Sequence, residues 1–194
     1  KPCGEKRRFK MMKYILILMF LIPLSSFAST KNEIKEKLEK TENIYFKFKQ
    51  KINDKVESGE CKLSYPKKIY CLYDDIYKKV LVSNGRSLII NSKKIKNYYV
   101  YKLKDTPLDL ILDKKYLIKK IESINKIEEN NDTFFFEIEH NKNLVTIFFD
   151  KKRFDIQGWT TVDIYQNKVE TKLFEVETNL MIDDNIYRIQ KYIN

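Results

Sequence analysis

One histidine and four glycines in 194 residues remove most catalytic chemistry from consideration. His140 is the only histidine, so no second imidazole exists to build a metal site or a proton relay. A Ser-His-Asp triad would have to run through His140, which closes a predicted strand just before the turn Asn141-Lys142-Asn143, a surface position. A phosphate-cradling loop needs clustered glycines, and this chain has too few. No Cys-x-x-Cys occurs, and the carboxylates lie scattered on solvated strand faces with nothing to pair them. No catalytic residue, cofactor or metal ligand is assigned, and binding is favoured over catalysis.

A long apolar run is also missing. The nearest approach is Ile15 to Leu24, well short of the roughly 18 residues a spanning helix requires. It follows Lys13 and precedes Ser26-Phe27-Ala28, a small-x-small pattern, so residues 12–28 read as a cleavable secretory signal peptide. Residues 1–11 read as upstream translation, with Met11 or Met12 as the start, and Cys3 falls with them. Residues 29–194 form a single expected domain of about two-thirds burial. Phe27-Ala28-Ser29-Thr30 offers no cysteine for lipid attachment, so the mature chain is expected to be soluble and to sit outside the cytoplasm.

The formal charge of +11 overstates the basic character. Without residues 1–28 the chain holds 32 basic and 26 acidic residues, a net of +6. The two signs are interspersed, as in Lys35-Glu36-Lys37, rather than gathered into the basic patch of a nucleic-acid binder. No nucleic-acid partner is expected.

What the chain does have is period-2 alternation. Ile44, Phe46, Phe48 and Ile52 fall on one face, and Tyr45, Lys47, Lys49 and Lys51 on the other. Gln50 interrupts the apolar face, either as a hydrogen-bonded core residue or as a sign that this face is not a sealed core. Further strands follow through Cys61, Leu63 and Tyr65, then Ile69, Cys71 and Tyr73. Val80–Val82 and Leu88–Ile90 flank the hairpin turn Asn84-Gly85. Ile95, Tyr99, Tyr101 and Leu103 come next. Later strands are expected at 134–138, 144–149, 155–165, 169–178 and 186–192. Two helices interrupt the meander. Thr30-x-x-Glu33 is a capping box opening a charged helix with Ile34 and Leu38 one turn apart. The second begins at Thr106, with Pro107 at the first helical position and Asp109 completing the cap. Leu108, Leu110, Ile111 and Leu112 make it apolar almost all round, so it is buried on several sides. Either it plugs a filled barrel or it is the lid of a lipid cavity. The fold class is mainly β with helices (α+β), and a meander of this many strands suggests a barrel or a strongly curved sheet.

Cys61 and Cys71 are the only cysteines after the leader. Both lie on the inward face by alternation and are equidistant from Pro66, so a hairpin centred there sets them opposite each other. Facing Cα atoms in an antiparallel pair lie within the range a disulfide accepts, and the compartment is oxidising. The alternative is a pair of buried thiols acting as small hydrophobes.

The order and spacing of several short stretches resemble the LolA family of outer-membrane lipoprotein carriers. They are Phe48-x-Gln50, Gly59 opening the second strand, Pro66, Tyr73, Leu81-Val82-Ser83-Asn84-Gly85, Thr106-Pro107-Leu108 and, more loosely, Asn185-Ile186-Tyr187-Arg188-Ile189. The resemblance implies a periplasmic protein, an unclosed antiparallel β-barrel with short lid helices covering its open face, and an acyl-chain cavity, assigned here to Phe46, Phe48, Leu63, Tyr65, Ile69, Tyr73, Tyr99 and Tyr101, under a lid of Leu108, Leu110, Ile111 and Leu112. It implies lipoproteins as cargo, received from an inner-membrane ABC exporter and passed to an outer-membrane receptor. A phospholipid or glycolipid carrier, or a lipoprotein-sensing module, is the alternative on the same scaffold. One departure concerns the lid: family members often carry Arg just before the proline, where it latches the lid, and here that position is Tyr65.

Overall fold

The computed structural model describes residues 26–92, 94–140, 143–163 and 166–193. Eleven antiparallel strands form one sheet: β1 (Asn43–Ile52), β2 (Lys55–Ser64), β3 (Lys68–Tyr73), β4 (Lys79–Asn84), β5 (Ser87–Ser92), β6 (Asn97–Lys102), β7 (Glu128–Glu129), β8 (Thr133–His140), β9 (Asn143–Asp150), β10 (Ile156–Val162) and β11 (Lys168–Thr178). Their order is β6-β5-β4-β3-β2-β1-β11-β10-β9-β8-β7, so the meander is broken once, where β11 returns beside β1, and β6 and β7 are the two edges. This is the unclosed antiparallel sheet with a few short helices that the family resemblance implies.

Side-chain parity decides which face is covered. Phe46 and Phe48 on β1, Leu63 on β2, Ile69 and Tyr73 on β3, Ile147 and Phe149 on β9 and Trp159 on β10 are buried in one core under the helices. Helix α1 (Ser26–Lys40) lays Ile34 and Leu38 into this core. Its described part already includes Thr30 and Glu33, so the Thr30 box lies inside the helix rather than at its start. Ser26–Ala28 therefore sit in α1, and the rest of the signal-peptide assignment lies outside the described residues. Lys37 Nζ meets the buried Asp155 carboxylate at 3.0 Å and fixes the helix against the sheet.

Three expected elements differ. The second helix does not start at Thr106. A 3₁₀ turn over Leu103–Asp105 comes first, its Leu103 carbonyl engaged by the Thr106 hydroxyl, and α2 (Leu108–Ile111) has Pro107 as its N-cap and Asp109 turned to another task. A third helix, α3 (Lys114–Ser123), follows at once. Asp113 caps it through the Tyr116 amide at 3.0 Å, and Leu117 and Ile121 are its buried pair. The strand expected at 186–192 is instead two 3₁₀ turns, Asp184–Tyr187 and Ile189–Tyr192. Ile186, Ile189 and Tyr192 recur every three residues, the 3₁₀ repeat. That segment packs across the outer face of β3–β5, where Asn91 Nδ2 donates to the Tyr192 carbonyl and the Ser64 and Tyr187 hydroxyls meet at 2.8 Å. It covers Val80, Val82 and Ile89 from outside. The strand expected at 155–165 is shorter, Ile156–Val162, and residues 164–165 lie outside the described residues.

Gly59 lies in the middle of β2 rather than opening it. It is paired with Phe48 on one side and Tyr73 on the other. A Cβ there would fall on the Leu72 carbonyl oxygen and within 2.9 Å of the Phe48 ring, so the missing side chain lets the two rings meet edge to face at 5.0 Å.

Cys61 and Cys71 are direct cross-strand partners, with Cα atoms 4.1 Å apart and their sulfurs bonded. The bond joins the two strands on either side of the Pro66 turn, from which the lid is held. Peptide mapping of denatured, alkylated but unreduced protein should find neither residue modified. A Cys61→Ala/Cys71→Ala variant should lose roughly 2–3 kcal/mol of unfolding free energy in a denaturant titration.

Candidate functional site

The covered face of the sheet is not completely filled. A cavity of about 100 Å³ remains between β1, β2, β3, β4, β10, β11 and the start of α2. Its walls are Phe46 and Phe48 from β1, Ile69 and Tyr73 from β3, Leu81 from β4 and Trp159 from β10, with the Cys61–Cys71 bridge as part of the floor. The Phe46 and Trp159 rings meet edge to face at 6.2 Å. Pro107 and Leu108 form the cover. One corner is polar. Gln50 Nε2 donates to Thr171 Oγ1 at 3.1 Å, and Thr161 lies beside them. The glutamine that interrupts the apolar face is thus both hydrogen-bonded and exposed to the cavity.

Of the cavity residues read from the sequence, Phe46, Phe48, Ile69 and Tyr73 line the space, and Leu108 is the lid residue that reaches it. Leu63 is buried in the surrounding core, and Tyr65 and Tyr101 are packed at its margin. Leu110, Ile111 and Leu112 are buried in that core and root the lid. Tyr99 does not belong to the cavity. It stands 56% exposed on β6, which is the sheet edge and has the neighbouring strand on one side only. Trp159, Thr161 and Thr171 were not singled out from sequence. Their signal was the shared parity of positions 159 and 161 on one strand, hidden because the two threonines carry no apolar weight.

The lid is held from the turn between β2 and β3. The Lys67 amide donates to the Leu112 carbonyl at 2.9 Å. Lys67 Nζ sits between two lid carboxylates, 3.0 Å from Asp109 and 3.2 Å from Asp113. Partial burial works against the ammonium charge, but the two carboxylates outweigh it and hold the lysine above its ordinary range. The Lys67 ammonium is therefore charged at neutral pH, and its contribution to the latch is present there and lost as pH rises through that raised value. Tyr65 takes no part in it. Its hydroxyl is buried with no hydrogen-bond partner among the described residues, and burial pushes the phenol far above its ordinary range. A second tether joins α3 to the end of α1, where Lys114 Nζ donates to the Thr41 carbonyl at 2.9 Å and the Glu39 carbonyl at 3.3 Å. Lys35 pairs with Glu122 and Lys31 donates to the Ile124 carbonyl, which closes the α1–α3 seam.

Among the described residues, no three His, Cys, Asp or Glu side chains are grouped to hold a metal ion, and no helix is long and apolar enough to cross a membrane. His140 ends β8. The arrangement is that of a container with a fastened cover.

Comparison with known proteins bears on this arrangement. An uncharacterized conserved protein from Thermus thermophilus superposes with a TM-score of 0.51 at 5% identity, over 83% of this chain and 92% of the other. A LolA superfamily protein from Nitrosomonas europaea gives 0.45 at 7% identity, over 86% and 99%. The Mycobacterium tuberculosis lipoprotein LppX gives 0.43 at 9% identity, over 81% and 100%. No curated protein sequence matches. The family described as outer membrane lipoprotein carrier protein LolA matches residues 39–190, which span every strand and the whole lid, and the chain belongs to that family.

Proposed function

We propose that this protein is a periplasmic carrier that takes the acyl chains of lipoproteins under its lid and shuttles them from an inner-membrane ABC exporter to an outer-membrane receptor. The observation that carries this reading is the aromatic cavity roofed by Leu108, with the lid tethered by ion pairs at one end. The cavity of about 100 Å³ is smaller than the roughly 150 Å³ that admits a benzene ring. The closed form therefore has no room for an acyl chain, and loading requires the lid to lift. The ion pairs at the Lys67 end are the weaker part of what holds it, since pairs open to solvent are worth about 0.2–1 kcal/mol each. The buried Leu110, Ile111 and Leu112 hold it more firmly, and cargo offsets their exposure at about 0.8 kcal/mol for each acyl CH₂ removed from water.

The test is binding of a purified triacylated lipoprotein, followed by its transfer to membranes that contain the receptor. Leu108→Asp places a charge against the cargo and should abolish binding while leaving the thermal transition in place, since Leu108 is only partly buried. A variant that still carries lipoprotein normally refutes the lid assignment. A wild type that takes up phospholipid but never lipoprotein replaces the carrier by a lipid-transfer protein.

Two substitutions should move the lid in opposite directions. Lys67→Met removes both ion pairs but keeps the backbone bond to Leu112. It should raise the rate of uptake of an apolar dye several-fold and cost about 1 kcal/mol of stability. Tyr65→Phe deletes the unpartnered hydroxyl and should stabilise the closed form by about 1 kcal/mol, with slower dye uptake. Stopped-flow fluorescence and denaturant titration read both.

A further inference from the structure

Eleven large apolar or aromatic side chains are exposed among the described residues, and six of them fall at one place. Ile76 and Tyr77 crown the loop between β3 and β4, Ile95 crowns the turn between β5 and β6, and Tyr98, Tyr99 and Val100 run down the edge strand β6. The antiparallel order brings both connections to the same end of the sheet, opposite the Pro66 turn and the lid latch. The two tips are joined: the Lys94 amide and the Ser92 hydroxyl both donate to the Tyr77 carbonyl, at 3.3 and 3.0 Å. Ile76 is 69% and Ile95 58% exposed, and Tyr98 and Val100 lie on one face of β6 with Tyr99 on the other, so the exposed apolar residues wrap around the tips and the sheet edge.

The charges around the tips decide what they suit. Lys78, Lys94 and Lys96 stand exposed between the apolar side chains. Of the acids nearby, Glu57 is paired with Lys55 and Lys79, and Asp75 accepts from the neutral amides of Tyr77 and Lys79, beneath the tip. Asp74, which accepts from the Ser58 hydroxyl, and Asp54 on the β1–β2 turn are exposed, and the three exposed lysines outnumber them. Isoleucines at convex tips, tyrosines around them and lysines between are the composition of an interfacial anchor. Isoleucine enters the acyl boundary, tyrosine settles at the headgroup level and lysine meets lipid phosphate. A protein partner would need a groove shaped to two protruding loops. A fluid bilayer accepts them as they are.

We propose that the β3–β4 and β5–β6 tips, with edge strand β6, dock this protein onto an anionic phospholipid surface, with the latched lid held at the far end of the sheet. The docking surface shares no residue with the cavity, so it stands or falls apart from the carrier reading. The test is flotation of the full mature chain with vesicles of phosphatidylcholine, alone and mixed with phosphatidylglycerol. Wild type should float with the mixed vesicles and much less with the neutral ones, and added salt should release most of it. Ile76→Asp/Ile95→Asp and Lys94→Glu/Lys96→Glu should each lower the apparent affinity about tenfold or more, with unchanged thermal transitions and unchanged lipoprotein uptake. Wild type that fails to float, or paired variants that float as well as wild type, overturn the proposal. So does a concentration-dependent dimer in sedimentation that both paired variants abolish while vesicle binding persists, because the patch then belongs to a second copy of the chain. Loss of cargo uptake in Leu108→Asp with vesicle binding intact separates this surface from the cavity.

Discussion

An eleven-stranded sheet that does not close leaves its apolar face to be covered by other elements, and the rest of this structure follows from how that covering is fastened. The apolar contacts are supplied by α1 through Ile34 and Leu38, by the residues around α2 through Leu110, Ile111 and Leu112, and by α3 through Leu117 and Ile121. Such contacts are non-directional and would tolerate several placements. Position comes from lysines at the rim. Lys37 reaches buried Asp155, Lys114 reaches the carbonyls that end α1, and Lys67 reaches Asp109 and Asp113. A cover set by a few charged contacts over a greasy interface can be released at one point and reseated in the same register.

For the carrier function proposed above, the energetics of carriage set a limit on how well the cavity can be built. Three acyl chains fully withdrawn from water would gain tens of kcal/mol at about 0.8 kcal/mol per CH₂, and cargo held that firmly would never leave. A collapsed cavity reduces the net gain, because part of it is spent separating Leu108 and Pro107 from Phe46, Phe48 and Trp159. The Gln50–Thr171 corner reduces it again, since acyl carbon set against hydrogen-bonded polar groups gains less than against leucine. Under the carrier function proposed above, both features lower the affinity for cargo and so favour its release to the next lipid environment.

The sheet was readable because period-2 alternation is a local signal, and β1 carries it in an almost unbroken form. The opposition of Cys61 and Cys71 followed from the same parity plus one proline. The covering was less readable. Only two of the ten residues of α3 are fully buried, so its lysines made the segment look like solvated surface, and the Asp113 cap is a single residue. The last segment alternates well enough to read as a strand, but the sheet edges are β6 and β7, and the outer face of β3–β5 offered it packing and no ladder. Tyr99 has the inward parity of a cavity residue, yet parity fixes only the face. How far along the sheet the helices extend is a long-range property, and they end short of β6.

The latch shows how a function can stay in place while its residue moves. The resemblance places the lid contact just before the turn proline, where this chain has Tyr65, a side chain that cannot carry a positive charge. The turn itself still faces the lid, because the Lys67 amide bonds the Leu112 carbonyl. Any cation on that turn with reach to α2 is therefore within range of Asp109 and the Asp113 cap, and Lys67 is such a cation. Asp113 then does two things at once, one oxygen accepting the Tyr116 amide and the other facing Lys67. Helix α3 and the contact from Lys67 share a carboxylate, so loosening Lys67 also loosens the first turn of α3, and the position of α2 is tied to that of α3.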